Sequence, residues 1–339
     1  MNPTILLVDT ASSSREDWKT FLQNHKYDVF TTEDWESALQ QCLQLQPDLV
    51  LLYGTLPDVD IIELCRRMKK DPLNQLTPVV LVDSSLTLNP ADIARAKEAG
   101  AADFWGAPAS LWEGISRVQS LLRLKSYIDE QAKSVVLSLA RSIESKSSMT
   151  EGHSERLAQY AVQLGESLDL PEEELGELRI ACWLHDIGKV AVPDAILFKP
   201  GPLNPEETRI VRQHPIIGER ICAPLKSLRH ILPVIRHHHE RMDGSGYPDG
   251  LRENGIPLIA RVLQVADIYD ALITDRPYRA ALSHSDALET LRTEARCGWI
   301  DPFLVRKFSQ ICDYGPHFPV RGRSMLASYY THGAQSYPQ

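Results

Sequence analysis

The feature that most constrains this chain is a set of ligand-type side chains placed inside apolar segments. Leu184-His185-Asp186-Ile187-Gly188-Lys189 sets a histidine beside an aspartate in an apolar run that reads as helical from Arg179 to Ile187. His214, His237-His238-His239 and Asp267 follow. A lone His-Asp pair would carry little, because a surface turn or a hydrogen-bonded core pair explains it equally well. The later histidines and Asp267 change that balance. Buried acidic groups are rare unless they are paired or bound to metal. Imidazoles and carboxylates spread over several helices therefore point to a metal site, and to a fold that gathers those helices.

Charge and cysteine content narrow the setting. The 339 residues suffice for two or three domains. Residues 1–120 carry 10 Lys and Arg against 17 Asp and Glu, while the remainder carries 26 against 28. The acidity sits in the N-terminal third, which argues against a broad basic face for DNA. A local basic pocket for a small anion stays open. Six scattered cysteines show no C-x-x-C spacing and read as reduced thiols. No charged-then-apolar leader opens the chain, and no apolar run approaches the ~20 residues of a membrane helix. The expectation is a cytoplasmic protein without a membrane span.

In residues 1–120, short apolar strands alternate with amphipathic helices. Strands are expected at Thr4–Asp9, Val29–Thr31, Asp48–Tyr53, Val79–Asp83 and Ala102–Trp105, with helices at Ser13–Asn24, Glu33–Leu45 and Ala91–Ala99. That pattern means a parallel sheet covered on both faces, in the doubly wound flavodoxin-like order. This part resembles a response-regulator receiver domain along its whole length. Receiver phosphotransfer uses an acidic pair after the first strand, an aspartate ending the third, Ser or Thr ending the fourth, and a lysine before a proline after the fifth. Here Asp9 stands beside Thr10, Tyr53 replaces the phosphoacceptor aspartate, Asp83 takes the Ser/Thr place, and Ala107 precedes Pro108. A phenol forms no acyl phosphate. The expectation is a receiver-like module, without a phosphoacceptor, that serves docking or dimerisation; the alternative is a sensor of some other signal.

Residues 121–149 read as a connecting helix. Leu111 to Glu144 lacks proline, and Leu121, Leu124, Ile128, Val135, Leu139 and Ile143 fall three, four or seven apart. Two readings stand: pairing with a second copy as a short coiled coil, or packing against its own domain.

Residues 150–312 read as all-helical. Thr150 is a candidate cap ahead of His153. Asn204 and Pro205 open a helix that is expected to run to His214. Ile231–Glu240 is expected to form another helix, on which at most two of the three adjacent histidines reach one ion. The glycine-rich stretch Arg241–Gly250 follows as a candidate substrate rim, and Pro257–Ile273 as an apolar helix broken by Asp267 and Asp270. Those two aspartates share a face at i, i+3. Asp275-Arg276-Pro277-Tyr278-Arg279 then supplies guanidiniums of the kind that hold phosphate oxygens.

Taken together, Gly152-His153-Ser154-Glu155-Arg156, the His185–Lys189 run, Lys199-Pro200-Gly201, His214-Pro215, His238-His239-Glu240, Gly246-Tyr247-Pro248, Val265–Leu272 and Asp275–Arg279 resemble an HD-GYP domain. This is a branch of the HD metal-dependent phosphohydrolases. The resemblance implies a helical domain that hydrolyses cyclic di-GMP to the linear dinucleotide or GMP. It implies metal ligands at His153, His185, Asp186, His214, His238, His239 and Asp267, with Asp186 bridging. It assigns catalysis to Asp186 and Lys189, phosphate contacts to Lys189, Arg276 and Arg279, and the pocket mouth to Gly246, Tyr247 and Pro248. The resemblance implies iron, or alternatively manganese, and five imidazoles suit iron, manganese or zinc better than magnesium. Two ions about 3.5–4 Å apart can share a hydroxide and aim it at phosphorus. The family often has an aspartate and a tyrosine, or a third-metal glutamate, where this chain has Ser147 and Met149. Two metals, not three, are therefore expected. Residues 313–339 are assigned no activity. The competing functions are a catalytically weak or inactive cyclic di-GMP receptor or scaffold, and an HD hydrolase of another nucleotide. A homodimer and a further signalling partner complete the expectations.

Overall fold

The structure, a computed structural model, describes residues 2–9, 12–53, 60–83, 90–106, 111–145, 152–275 and 279–314. Five apolar segments extend as strands: β1 (Thr4–Val8), β2 (Asp28–Thr32), β3 (Leu49–Tyr53), β4 (Val79–Asp83) and β5 (Asp103–Gly106). They pair in parallel in the order β2-β1-β3-β4-β5. Parallel neighbours need crossovers. Four helices fall between the strands: α1 (Ser12–Asn24), α2 (Trp35–Leu45), α3 (Ile61–Lys70) and α4 (Pro90–Glu98). A fifth, α5 (Leu111–Ser145), follows β5.

Alternate residues of each central strand feed two separate cores, as a period of two demands. Leu6, Val8, Val50, Leu52 and Leu81 pack with Ala38, Cys42, Ile62 and Met68. Ile5, Leu7, Leu51 and Val80 pack with Trp18, Leu22, Ile115 and Val118. Helix α3 is an addition to the sequence expectation. Asp60 caps it by accepting the Ile62 N–H at 2.9 Å, and Ile62, Cys65 and Met68 line its buried face at three-residue spacing.

Tyr53, at the end of β3, is buried, and its hydroxyl accepts a hydrogen bond from Trp18 Nε1 at 2.8 Å. Burial pushes its phenol up from the ordinary value, against the Trp18 bond. Asp9, just past β1, is also buried. Thr10, Ala107 and Pro108 lie outside the described residues.

The chain divides into two compact units, with the boundary in α5 between Ser134 and Val135; Ala223–Ser227 groups with the first unit. The second unit is helical: α6 (His153–Glu166), α7 (Glu172–Leu184), α8 (Asp194–Leu197), α9 (Pro205–Val211), α10 (His214–Cys222), α11 (Leu232–His237), α12 (Leu258–Ile273), α13 (His284–Arg296) and α14 (Pro302–Tyr314). Its core centres on α12, where Val262, Leu263, Val265, Ala266 and Tyr269 are fully buried. Tyr269 meets Tyr160 of α6 at 5.3 Å and Phe308 of α14 at 4.9 Å, both edge-on. No helix among the described residues is long and apolar enough to cross a membrane.

Three helix ends differ from the sequence expectation, and each difference involves a ligand-type histidine. Helix α7 stops at Leu184, so His185 is its cap and Asp186 turns out at φ −99° and ψ 5°. Helix α9 stops at Val211, and His214 opens α10. Pro215 lies in the first turn of α10, where its missing N–H is harmless but would have broken a continuing α9. Helix α11 stops at His237, so His238 and His239 leave it. In each case the histidine occupies a helix boundary, where the backbone turns sharply and retains unbonded carbonyls. The candidate cap Thr150 lies outside the described residues; Gly152, at φ 70°, precedes α6.

Candidate metal centre

Two groups of ligand-type atoms come together in the helical unit. Asp186, His214, His238 and His239 form one group, and His153, His185 and Asp267 the other. Within each group the ligand atoms lie within 4.8 Å of one another.

The imidazoles are oriented by their outer nitrogens. His185 Nδ1 lies 2.9 Å from the Cys182 carbonyl, His214 Nδ1 2.8 Å from that of Val211, and His238 Nδ1 2.8 Å from that of Ile235. A carbonyl can only accept, so each Nδ1 carries the proton. His153 Nδ1 is held instead by the Asp270 carboxylate, 2.7 Å away. In the neutral ring each Nε2 is then a bare lone pair directed inward. This is the arrangement that metal-bound histidines adopt.

Facing acceptors show what the cluster lacks on its own. His214 Nε2 and His238 Nε2 stand 3.2 Å apart. His153 Nε2 lies 3.4 Å from Asp267 Oδ1. Lone pairs at such separations repel unless a cation lies among them. The donor set therefore fits divalent metal.

Asp186 lies between the two groups. Its Oδ1 is 3.2 Å from His214 Nε2, and its Oδ2 is 3.3 Å from His185 Nε2 and 2.5 Å from Lys189 Nζ. Burial alone would raise the Asp186 carboxyl, but Lys189 and the imidazoles outweigh it and hold it well below the usual range. Burial opposes charge on His185 as well, yet Asp186 beside it lifts that imidazole to about 9. His214 is dominated by burial, which pushes it down to about 4. Burial also keeps His238 and His239 well below the ordinary value. Most of the cluster is thus neutral imidazole, the ligating form.

The close packing of these turns needs glycine. A Cβ on Gly188 would stand 1.9 Å from the His214 carbonyl oxygen and 2.6 Å from Gly218 N. Across the cluster, the ring of His239 stacks on Tyr247 at 4.8 Å, and the Arg212 guanidinium lies 5.0 Å over the same tyrosine. Gly246 and Tyr247 line a cavity bordered by His238, His239 and Asp267, and Pro248 lines a neighbouring one. Glu240, fully buried, fixes the loop's return by accepting the N–H groups of Asp249, Gly250 and Leu251 at 2.7–3.1 Å. His237 turns away from the cluster to Asp249, 2.9 Å from its Nε2. Arg279 donates to the carbonyls of Ala271 and Leu272 at the end of α12. Arg276, Ser147 and Met149 lie outside the described residues.

In the sequence Asp270 stands out only as a face-sharing partner of Asp267. It is buried, holds His153, and takes Arg156 through two hydrogen bonds of 2.7 and 3.1 Å. The Asp-x-x-Asp spacing on one helix face was the available signal.

Comparison with known proteins identifies both parts of the chain. Residues 138–304 match the HD domain family model, and residues 5–118 the response regulator receiver domain. The chain is 32% identical over 326 residues to the cyclic di-GMP phosphodiesterase response regulator RpfG of Xanthomonas campestris pv. campestris, covering 89% of this chain and 85% of that protein. The chain belongs to the HD-GYP response regulators. This HD-GYP protein is also 31% identical to a cyclic di-GMP phosphodiesterase of Thermotoga maritima, over 81% of its own length and 82% of the relative. It is 38% identical to a Vibrio cholerae phosphodiesterase named as specific for 3'3'-cGAMP, over 51% of this chain and 38% of that protein. The HD-GYP unit is a divalent-metal site built on an HD fold.

Proposed function

We propose that this chain is a metal-dependent phosphodiesterase that hydrolyses cyclic di-GMP to the linear dinucleotide or GMP. The observation that carries the reading is the set of four tethered imidazoles, each Nδ1 held from outside, with His185 and His214 turning Nε2 to Asp186 and His153 turning Nε2 to Asp267. The substrate class follows from the names of the relatives that match nearly the whole chain.

His153, His185, Asp186, His214, His238, His239 and Asp267 would hold two ions, with Asp186 shared between them. The imidazole-rich donor set suits iron, manganese or zinc better than magnesium, and the family resemblance favours iron, or alternatively manganese. Bound there, the ions supply Lewis acidity toward water and phosphate. The chain's own residues do the rest. Lys189, anchored on Asp186, keeps further ammonium donors for phosphate oxygens whose charge grows during cleavage. Tyr247, stacked on His239, walls the cluster with an apolar ring. Arg276 and Arg279 are proposed phosphate contacts.

We also propose that residues 1–120 act as a docking or dimerisation module without phosphotransfer, joined through residues 121–149 to a catalytic part at 150–312. Leu124, Ile128, Val135 and Leu139 are exposed at spacings of four and seven on α5, which supports pairing of two chains through that helix. The reading places the protein in the cytoplasm, which its six free cysteines support.

The test is metal analysis of anaerobically purified protein coupled to a cyclic di-GMP cleavage assay. Two iron or manganese ions per chain with product formed, and turnover abolished by Asp186→Ala, is the expected result. Metal without product would overturn the enzyme reading and leave a receptor.

A further inference from the structure

The cavity beside the metal cluster measures about 330 Å3, within the range that holds a small ligand. Its near wall is His238, His239 and Asp267. Arg241, Glu294 and Trp299 also line it, with different chemistry. The Arg241 guanidinium lies 4.2 Å over the Trp299 ring. Main-chain bonds lock the two segments that carry them, with the Met242 N–H donating to the Trp299 carbonyl at 3.0 Å and the Trp299 N–H to the Glu294 carbonyl at 3.1 Å. Arg241 and Glu294 are therefore placed by the backbone before anything binds.

Among the described residues, neither the Arg241 guanidinium nor the Glu294 carboxylate enters an ion pair or a hydrogen bond. Partial burial pushes the Glu294 carboxyl up, and Arg241 opposes this. A half-buried carboxylate and a stacked guanidinium that line one cavity, with no hydrogen bond or close ion pair among the described residues, suit a ligand that offers donors to one and acceptors to the other.

We propose that this cavity takes a guanine base of the substrate, and that Glu294 and Arg241 read it. The proposal rests on the phosphodiesterase reading above and adds how the base is chosen. Guanine carries two adjacent donors, N1–H and the 2-amino group, which match the two oxygens of a carboxylate. It carries two adjacent acceptors, O6 and N7, which match the guanidinium fork. Adenine has no 2-amino group, presents an acceptor at N1, and turns its 6-amino donor toward the arginine. Trp299 holds Arg241 in place, so little ordering is left to occur on binding. The shared wall of His238, His239 and Asp267 sets the phosphate end of such a nucleotide against the proposed ligands.

The test uses the full-length, metal-loaded chain and three diesters: cyclic di-GMP, cyclic di-AMP and bis(p-nitrophenyl) phosphate, which has no base. For native protein, Glu294→Gln and Arg241→Lys, kcat/KM is measured on each. Each variant is expected to lower the ratio of cyclic di-GMP to the base-free diester about tenfold or more, and to erode the preference for guanine over adenine. Glu294→Gln keeps shape and Arg241→Lys keeps charge, so either can report if the other fails to fold. A native chain that cleaves cyclic di-GMP, with both variants retaining its ratio and preference, overturns this assignment alone. A native chain that cleaves the base-free diester but not cyclic di-GMP overturns the substrate reading, and the assignment with it.

Discussion

Asp270 holds His153 from behind, with its Oδ2 2.7 Å from the imidazole Nδ1, while Arg156 neutralises the same carboxylate from the other side. Because Arg156 supplies the balancing charge, Asp270 orients the ring without drawing the proton away from it. Asp270→Asn should weaken metal at the His153, His185 and Asp267 position about 10- to 100-fold, as is usual when such a partner is lost. Dialysis followed by metal analysis should then leave one ion per chain, against the two expected of the native protein. Unchanged stoichiometry and affinity would count against the role.

Gly188 is where the Asp186 turn and α10 touch. Its substitution by alanine would drive a methyl group into the His214 carbonyl, 1.9 Å from the ideal Cβ. Backbone cannot yield as a flexible side chain does, so Gly188→Ala should cost about 3 kcal/mol. Urea unfolding midpoints measure this. A midpoint equal to that of the native protein would mean the approach relaxes freely.

Glu240 accepts three main-chain N–H groups from the end of the Gly246-Tyr247-Pro248 loop. Glu240→Gln turns one acceptor into a donor that faces other donors. The expected loss is about 2 kcal/mol, with faster proteolysis within residues 243–250. A digestion pattern matching the native one would show that the loop is fixed by other contacts.

Acid should release the anchor between Asp249 and α11. The Arg236 bonds, joined by His237, lower the Asp249 carboxyl to about 2. A carboxylate lowered on folding stabilises the native state above its unfolded value of about 4 and loses that contribution as pH falls toward its folded value. The difference in Tm between native protein and Asp249→Asn should be constant above about pH 4 and shrink between about 4 and 2. A difference that grows with acid would reverse the sign and refute the pairing.

Tyr53 should leave the first unit silent to phosphodonors. Its hydroxyl is engaged by Trp18, and burial holds it protonated. Incubation with acetyl phosphate and magnesium should add no phosphate by intact mass. A labelled peptide containing residue 53 would show that the phenol reacts after all.

The parallel sheet was legible because each strand is a short apolar run between polar helices, and five such runs leave few topologies. Helix α3 was not, because its apolar residues are interleaved with four basic ones, Arg66, Arg67, Lys69 and Lys70. The histidines and aspartates of the candidate site were legible as residue types in sequence, but the local backbone was not. Periodicity carries apolar stripes through helix ends, whereas His185, His214 and His238 sit where the backbone departs from the helix. Asp270 was hidden for a related reason. A carboxylate that orients a ligand looks the same in sequence as one that is a ligand. Arg241 and Glu294 lie far apart in the chain, and the main-chain bonds around Trp299 help bring them to one cavity.

Three of the four tethered imidazoles are oriented by carbonyls three positions earlier, at Cys182, Val211 and Ile235. A carbonyl is present whatever the side chain, so a substitution at those three positions leaves the acceptor, and with it the tautomer, in place. His153 alone depends on a replaceable carboxylate. The two groups thus differ in mutational exposure: His214 and His238 take their orientation from the main chain, while the group of His153, His185 and Asp267 contains an imidazole whose orientation a single codon at Asp270 can remove. Descendants that lose catalysis should therefore lose the His153 half first, and retain a half-site able to hold one ion.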